Sequence, residues 1–250
     1  MLIGKYFKKT KPELNKHFFS GISFNSKLCK KNYIFFAIKG NEIDGNKFIK
    51  EAILNGARTI ISDKKFNGIK NGILFLHSKN VRKSLAEISY KIFNPKIKNL
   101  IAVTGTNGKS SICNFFFQIL NLNKKKVASI GTLGIRTALR NLSLPNTTID
   151  PLKLSGHLKN LSNRNIHNVI LEASSHGLKQ NRLDGLKFDK GIFTNLSHDH
   201  LDYHKNFSDY LNSKLYLFKK LLKKNSIIIT DQDIPEYKKL KIYLKKKISN

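Results

Sequence analysis

The chain has 250 residues, 40% of them hydrophobic, enough for one large domain or two smaller ones with their own cores. Its 46 Lys and Arg against 16 Asp and Glu give a formal charge of +30, but the lysines are spread along the sequence, which favours a solvated basic surface over a dedicated nucleic-acid face. Two cysteines without metal or redox spacing, no signal-like N-terminus and no apolar run of membrane-spanning length argue against a disulfide scaffold, a secreted chain and a transmembrane protein; a cytoplasmic location is expected, with no specific nucleic-acid and no membrane partner.

In chain order, residues 33–38 predict a strand, and Phe48, Ile49, Ala52 and Ile53 mark a helix. Residues 59–61 and 72–76 read as strands, and Val81, Leu85, Ile88 and Ile92 mark a second helix. Pro95 to Asn99 is a hinge, so a small α/β domain is expected over 1–95 and a second domain over 96–250. The second alternates more strictly: a strand at 100–103, a helix after Lys109 with Ile112, Phe115, Phe116, Ile119 and Leu120 on its apolar face, a strand at 127–130, a helix around 152–161, and strands at 169–171, 191–194 and 226–230. Such alternation predicts a mostly parallel sheet covered on both faces, with ligands at the carboxyl ends of the strands. Only one helix-like, lysine-rich segment follows the last strand, so this domain is expected to be incomplete at its C-terminus.

The first strand of that domain runs into Gly105-Thr106-Asn107-Gly108-Lys109-Ser110-Ser111. The two glycines let backbone N–H groups turn toward an anion, Lys109 adds a mobile charge for the outer phosphates, and the Ser110 hydroxyl suits Mg²⁺. Val103 stands where the general phosphate-loop pattern has its first glycine, leaving the shorter form G-x-x-G-K-S. Glu172 ends a buried-type strand, where a carboxylate either holds Mg²⁺ beside the loop or caps the next helix; position alone leaves both open. The stretch Thr194-Asn195-Leu196-Ser197-His198-Asp199-His200-Leu201-Asp202-Tyr203-His204 is dense in His and Asp and follows another strand. Its spacing fits no common zinc pattern, which favours Mg²⁺ and phosphate chemistry over zinc.

These motifs, with Glu172-x-Ser174-Ser175-His176-x-Leu178, Gln180, Arg182 and Asp209-Tyr210-x-x-x-Lys214-x-x-x-Phe218, resemble the Mur ligases over residues 21–231. Within that family, Ser174-Ser175-His176 is similar to the group that adds the third amino acid of the peptidoglycan stem peptide to UDP-N-acetylmuramoyl-L-alanyl-D-glutamate. The resemblance implies an N-terminal UDP-substrate domain, a central P-loop-type ATPase domain, and a C-terminal ligase domain that this chain lacks. It implies ATP on residues 105–111, catalytic roles for Lys109, Glu172, His200 and Lys214, and Mg²⁺ on Ser110, Glu172, His200 and a CO₂-derived carbamate of Lys214. Without it, Lys214 reads as one more solvated lysine.

By the same resemblance Asn146, Thr147, Thr148, Ser174, Gln180 and Arg182 grip the sugar-peptide, and Phe24, Ser26, Asn41, Glu42 and Ile43 hold the uridine diphosphate. Where the family usually reads Asp-Ser-Arg, this chain has Asn25-Ser26-Lys27. The implied reaction activates the D-glutamate side chain as an acyl phosphate, which the amine of an incoming amino acid displaces; meso-diaminopimelate is favoured over lysine. The implied protein is a monomer, and this chain alone is expected to have little activity. Two other readings are a folylpolyglutamate-type ligase, against which Ser174-Ser175-His176 argues, and a non-enzymatic basic nucleotide or nucleic-acid binder, which would bind nucleic acid with steep salt dependence.

Overall fold

A computed structural model describes residues 1–7, 12–40, 42–197, 199 and 203–248, and the chain divides into two compact units, Met1–Lys91 and Ile92–Asn250. The first unit contains α1 (Ile3–Tyr6), β1 (Gly21–Ser23), β2 (Tyr33–Phe36), α2 (Ile49–Leu54), β3 (Ala57–Ser62), β4 (Gly68–Lys70), β5 (Ile73–His77) and α3 (Val81–Phe93), the last helix running two residues past the division. Its sheet has the order β1-β2-β3-β5-β4, parallel except for β4. Phe35, Ala37, Ala57, Ile60 and Ile73 bury one face together with Ala52 of α2 and Cys29. Burial pushes the Cys29 thiol up to about 11, which keeps it protonated.

Several features here depart from the sequence reading, α1 and β1 among them. The strand expected over 33–38 ends at Phe36, and β4 was missed. Its signal was Asn71-Gly72, whose positive φ values of 50° and 72° make the two-residue turn that a hairpin favours.

The second unit contains β6 (Asn99–Thr104), α4 (Lys109–Leu122), β7 (Val127–Gly131), β8 (Gly134–Thr137), β9 (Arg140–Leu142), α5 (Pro151–Asn163), β10 (Asn168–Glu172), α6 (Ser175–Lys179), β11 (Phe188–Phe193), α7 (Phe207–Tyr216), β12 (Leu222–Thr230) and α8 (Tyr237–Ile248). A π-helical turn, Leu217–Leu221, extends α7. The sheet order is β12-β11-β6-β10-β7-β8-β9, with five parallel strands and an antiparallel β8–β9 hairpin at one edge. The chain leaves β6 for β7, returns to β10 on one side of β6, then crosses to β11 on the other. That reversal opens a crevice at the carboxyl end of β6, where Glu172 pairs with Val103 and Phe193 with Thr104.

Ile101, Val103 and Ile170 form the core under α4, with Cys113, Ile112 and Phe116 on the helix. The expected apolar face of α4 is corrected: Phe115 and Ile119 are exposed, and Cys113 and Phe117 take the buried side. The helix is apolar nearly all round, so periodicity did not single out one face. α5 starts as its sequence dictates, with Pro151 in the first turn and the Asp150 carboxylate accepting from the Lys153 N–H. No described helix is long and apolar enough to cross a membrane.

Candidate active site

Gly105 and Gly108 carry the chain from β6 into α4 at φ values of +149° and +82°. A Cβ on Gly105 would lie 1.8 Å from the Thr194 hydroxyl, so only glycine passes. The loop leans on the segment after β11. The Thr106 N–H donates to the Asn195 carbonyl at 2.9 Å, the Asn107 N–H to Asn195 Oδ1 at 2.9 Å, and the Thr194 hydroxyl to the Asn107 carbonyl at 2.6 Å. Thr106 Oγ1 accepts from the Ser197 N–H at 3.0 Å and lies 3.1 Å from the Tyr210 hydroxyl. Among the described residues no side chain caps the N-terminus of α4, whose positive end faces the crevice.

Glu172 is buried, 2% exposed, at the end of β10. It accepts from Ser110 Oγ at 3.0 Å, the Thr132 N–H at 2.9 Å and Thr132 Oγ1 at 3.1 Å. Gly131 makes room, because a Cβ there would sit 2.1 Å from Glu172 Oε1. The helix-capping alternative is excluded: Ser174 caps α6, accepting from the Gly177 N–H at 3.1 Å. Thr132 was not singled out by sequence, since an isolated threonine after a strand carries no pattern.

Two lysines converge on one carbonyl. Lys109 Nζ donates to the Gly105 oxygen at 3.0 Å and the Thr106 oxygen at 2.7 Å, and Lys214 Nζ donates to the Gly105 oxygen at 2.6 Å. Lys214 is 1% exposed and stands 4.3 Å from the centre of the Tyr210 ring. Burial, reinforced by the charge of Lys109, pushes its ammonium down to about 7. Burial also lowers Lys109, with Glu172 opposing. Composition hides Lys214, but a signal existed: it lies in the buried stripe of Tyr210, Leu211, Leu215 and Phe218, where a lysine is rarely placed.

A cavity of about 350 Å³ joins these parts, running from the loop past Thr132 and Glu172 to Ser174, with Lys214 on its wall. The buried Ser175 hydroxyl on that wall has no hydrogen-bond partner among the described residues. Thr148 fastens the next segment: its hydroxyl donates to the Glu172 carbonyl at 2.8 Å and lies 3.1 Å from Ser174 Oγ, while Thr147 reaches Thr132 at 3.0 Å. Asn146 is exposed. Arg182 donates through Nε and a terminal nitrogen to Gln180 Oε1, at 3.1 and 2.8 Å, and to the Thr148 carbonyl. The Gln180 amide nitrogen in turn donates to the Tyr203 hydroxyl at 3.0 Å, and the Tyr203 ring stacks 3.9 Å from that of His176.

In the first unit, Ser26 is buried and donates to Glu51 Oε2 at 2.6 Å, Phe24 and Ile43 are exposed, and Glu42 faces solvent. Asn41, His198, His200, Leu201 and Asp202 lie outside the described residues. Among the described residues no group of three His, Cys, Asp or Glu could hold a metal. The donor set is oxygen: Ser110, Thr132 and Glu172 suit a hard cation such as Mg²⁺.

The Mur ligase middle domain model matches residues 103–250, and the model of the Mur ligase family, catalytic domain, matches residues 19–99. The chain belongs to the Mur ligase family. A UDP-N-acetylmuramoyl-L-alanyl-D-glutamate--2,6-diaminopimelate ligase of Rickettsia montanensis is 44% identical over 234 residues, 92% of this chain and 48% of that protein. The ligase of the same name from Clostridium tetani is 41% identical over 219 residues, 86% of this chain and 45% of that protein. A solved structure of a ligase with this name superposes with a TM-score of 0.83 at 28% identity, over 98% of this chain and 50% of that one. This Mur ligase chain therefore spans about half the length of the curated relatives it matches.

Proposed function

We propose that this chain supplies the carboxylate-activating part of an ATP-dependent amide ligase that adds meso-diaminopimelate to UDP-N-acetylmuramoyl-L-alanyl-D-glutamate in peptidoglycan precursor synthesis. The observation that carries it is the convergence of Lys109, Lys214 and the buried Glu172 on the glycine loop. The names of the relatives supply the substrate.

In this reading residues 1–95 bind the uridine diphosphate through Phe24, Ser26, Asn41, Glu42 and Ile43, and residues 96–250 form the ATPase domain. Residues 105–111 hold the ATP phosphates at the start of α4, with the Thr106 and Asn107 N–H groups fixing the loop to Asn195, and Lys109 swings from its carbonyl partners onto the outer phosphates. The D-glutamate side-chain carboxylate attacks the γ-phosphorus, the bond to the β-phosphate oxygen breaks, and ADP leaves. The resulting acyl phosphate loses phosphate when the incoming amine attacks its carbonyl carbon, forming the amide. Thr148, Ser174, Gln180 and Arg182 orient the peptide, and Arg182, its fork held by Gln180 and the Thr148 carbonyl, supplies positive charge for its carboxylates.

Mg²⁺, when bound, neutralises phosphate charge; Ser110 and Glu172 would hold it, with His200 and Lys214 as a carbamate completing the set. A site that pulls Lys214 to about 7 keeps much of its amine neutral at neutral pH, and a neutral amine adds CO₂ with loss of one proton. The nucleotide substrates imply a cytoplasmic location.

The test is phosphate release and amide formation from ATP, the UDP-muramoyl dipeptide and meso-diaminopimelate. It is run with this chain and with a version extended along its gene to the length of its relatives. Phosphate release that requires the dipeptide, with amide product from the extended protein, is expected. Release indifferent to the dipeptide, with no amide from the extended protein, overturns the reading.

A further inference from the structure

At the other end of the same sheet, a second cleft gathers positive charge. β8 runs antiparallel to β7, pairing Gly134 with Gly131 and Thr137 with Ala128, so Thr137 and the turn to Arg140 lie at the amino-terminal end of the strands. α5 ends at Asn163 just before β10 begins at Asn168, which brings its last turns to that same end. Between hairpin and helix is a cavity of about 200 Å³ with an apolar floor of Ile135, Leu142 and Leu161, and Arg140, Arg164, His157 and Asn160 around it. Among the described residues no carboxylate lines it.

The choice of arginine is the informative part. The chain has 46 basic residues, and only six of them are arginine. Four lie in the second unit. Arg182 is engaged with Gln180 and the Thr148 carbonyl, and Arg136 donates to Asn114 Oδ1 and lies 5.0 Å over the Phe117 ring. The other two, Arg140 and Arg164, make no side-chain hydrogen bond or ion pair among the described residues, and both open onto this cleft. Elsewhere in the second unit a solvated charge is served by lysine; a guanidinium adds a planar fork that matches the oxygens of a phosphate.

We propose that this cleft binds the phosphate group of a small, soluble phosphate monoester, with Arg140 and Arg164 as the fork and His157 and the Asn160 amide as further donors. Burial lowers the imidazole of His157, Asp150 at the start of α5 opposes this, and Lys153 and Arg140 add to it. A bound dianion shifts that balance and raises it. The site is separate from the glycine loop, which lies at the carboxyl ends of the strands.

The experiment follows the His157 ring resonances by NMR in the whole chain during titration with inorganic phosphate. The glycine loop also takes phosphate, so a signal local to the cleft is needed. A saturable shift of His157 and an upward move of its titration midpoint are expected. Arg140→Gln with Arg164→Gln should weaken binding about tenfold, and the paired lysine replacements about threefold, because charge survives without the fork. Both arginines are exposed, so the variants keep the fold. A shift that does not saturate, that sodium chloride of equal ionic strength reproduces, or that survives in the double glutamine variant overturns the proposal.

Discussion

The loop after β6 and the helix α7 each send a lysine to the Gly105 carbonyl, and they do so by opposite means. Lys109 sits at a helix start beside two glycines and is part solvated, free to follow a ligand. Lys214 is held from behind by a buried helix face and the Tyr210 ring, and burial has stripped much of its preference for the proton. The difference teaches that burial, with the charge of one lysine acting on the other, sets two chemically identical side chains apart, which in the proposed reaction suits one as a mobile cation and the other as an amine.

The largest effect expected from breaking this pair is catalytic. Lys109→Ala and Lys214→Ala should each lower dipeptide-dependent phosphate release by the extended protein by about a thousandfold or more. Added bicarbonate should raise the activity of the unmodified protein, and short amines with CO₂ should partly rescue only Lys214→Ala. Equal rescue of both variants would erase the distinction.

Gly105→Ala attacks the carbonyl that the lysines share. With φ at +149° and the new Cβ against Thr194, a loss of roughly 3 kcal/mol in stability is expected from denaturant titration. Lys214→Met should act the other way, stabilising by about 2 kcal/mol near neutral pH. An unfolded lysine keeps its proton up to 10.5, whereas folded Lys214 releases it near 7, so between those values the unfolded chain binds more protons and stability rises with pH. The contribution is least favourable below 7, where the buried group is charged. Denaturation at about pH 6 and about pH 9 should show that slope in the parent chain and a flatter one in Lys214→Met.

The smallest expected effect lies in the relay from Tyr203 through Gln180 to Arg182. Tyr203→Phe removes the hydroxyl that accepts from the Gln180 amide and lets that amide turn. KM for the UDP-muramoyl dipeptide should rise about fivefold with kcat nearly unchanged, the signature of weakened ground-state binding.

The loop was legible because its signal is local: strand, two glycines, lysine and helix are contiguous, and the backbone requires them together. Glu172 was half legible. Its place at a strand end showed in the sequence, but the choice between capping and facing the loop depended on Ser174 taking the cap. Lys214 was hidden by composition, since its burial is a tertiary fact and its only local trace is its register with Tyr210, Leu211 and Leu215. β1, β4 and β9 are three residues each, too short for a period to register.

The position of β6 in its sheet also orders events in time. Its two neighbours, β10 and β11, are encoded about 70 and 90 residues downstream, and the contacts that brace the glycine loop come from Asn195, Ser197 and Tyr210. A ribosome that has released only the loop and α4 has therefore released a nucleotide motif without its walls. Until β10 emerges β6 has two unpaired edges, until β11 emerges it has one, and the last brace on the loop waits for Tyr210, so the growing chain carries an exposed strand edge through most of this domain's synthesis.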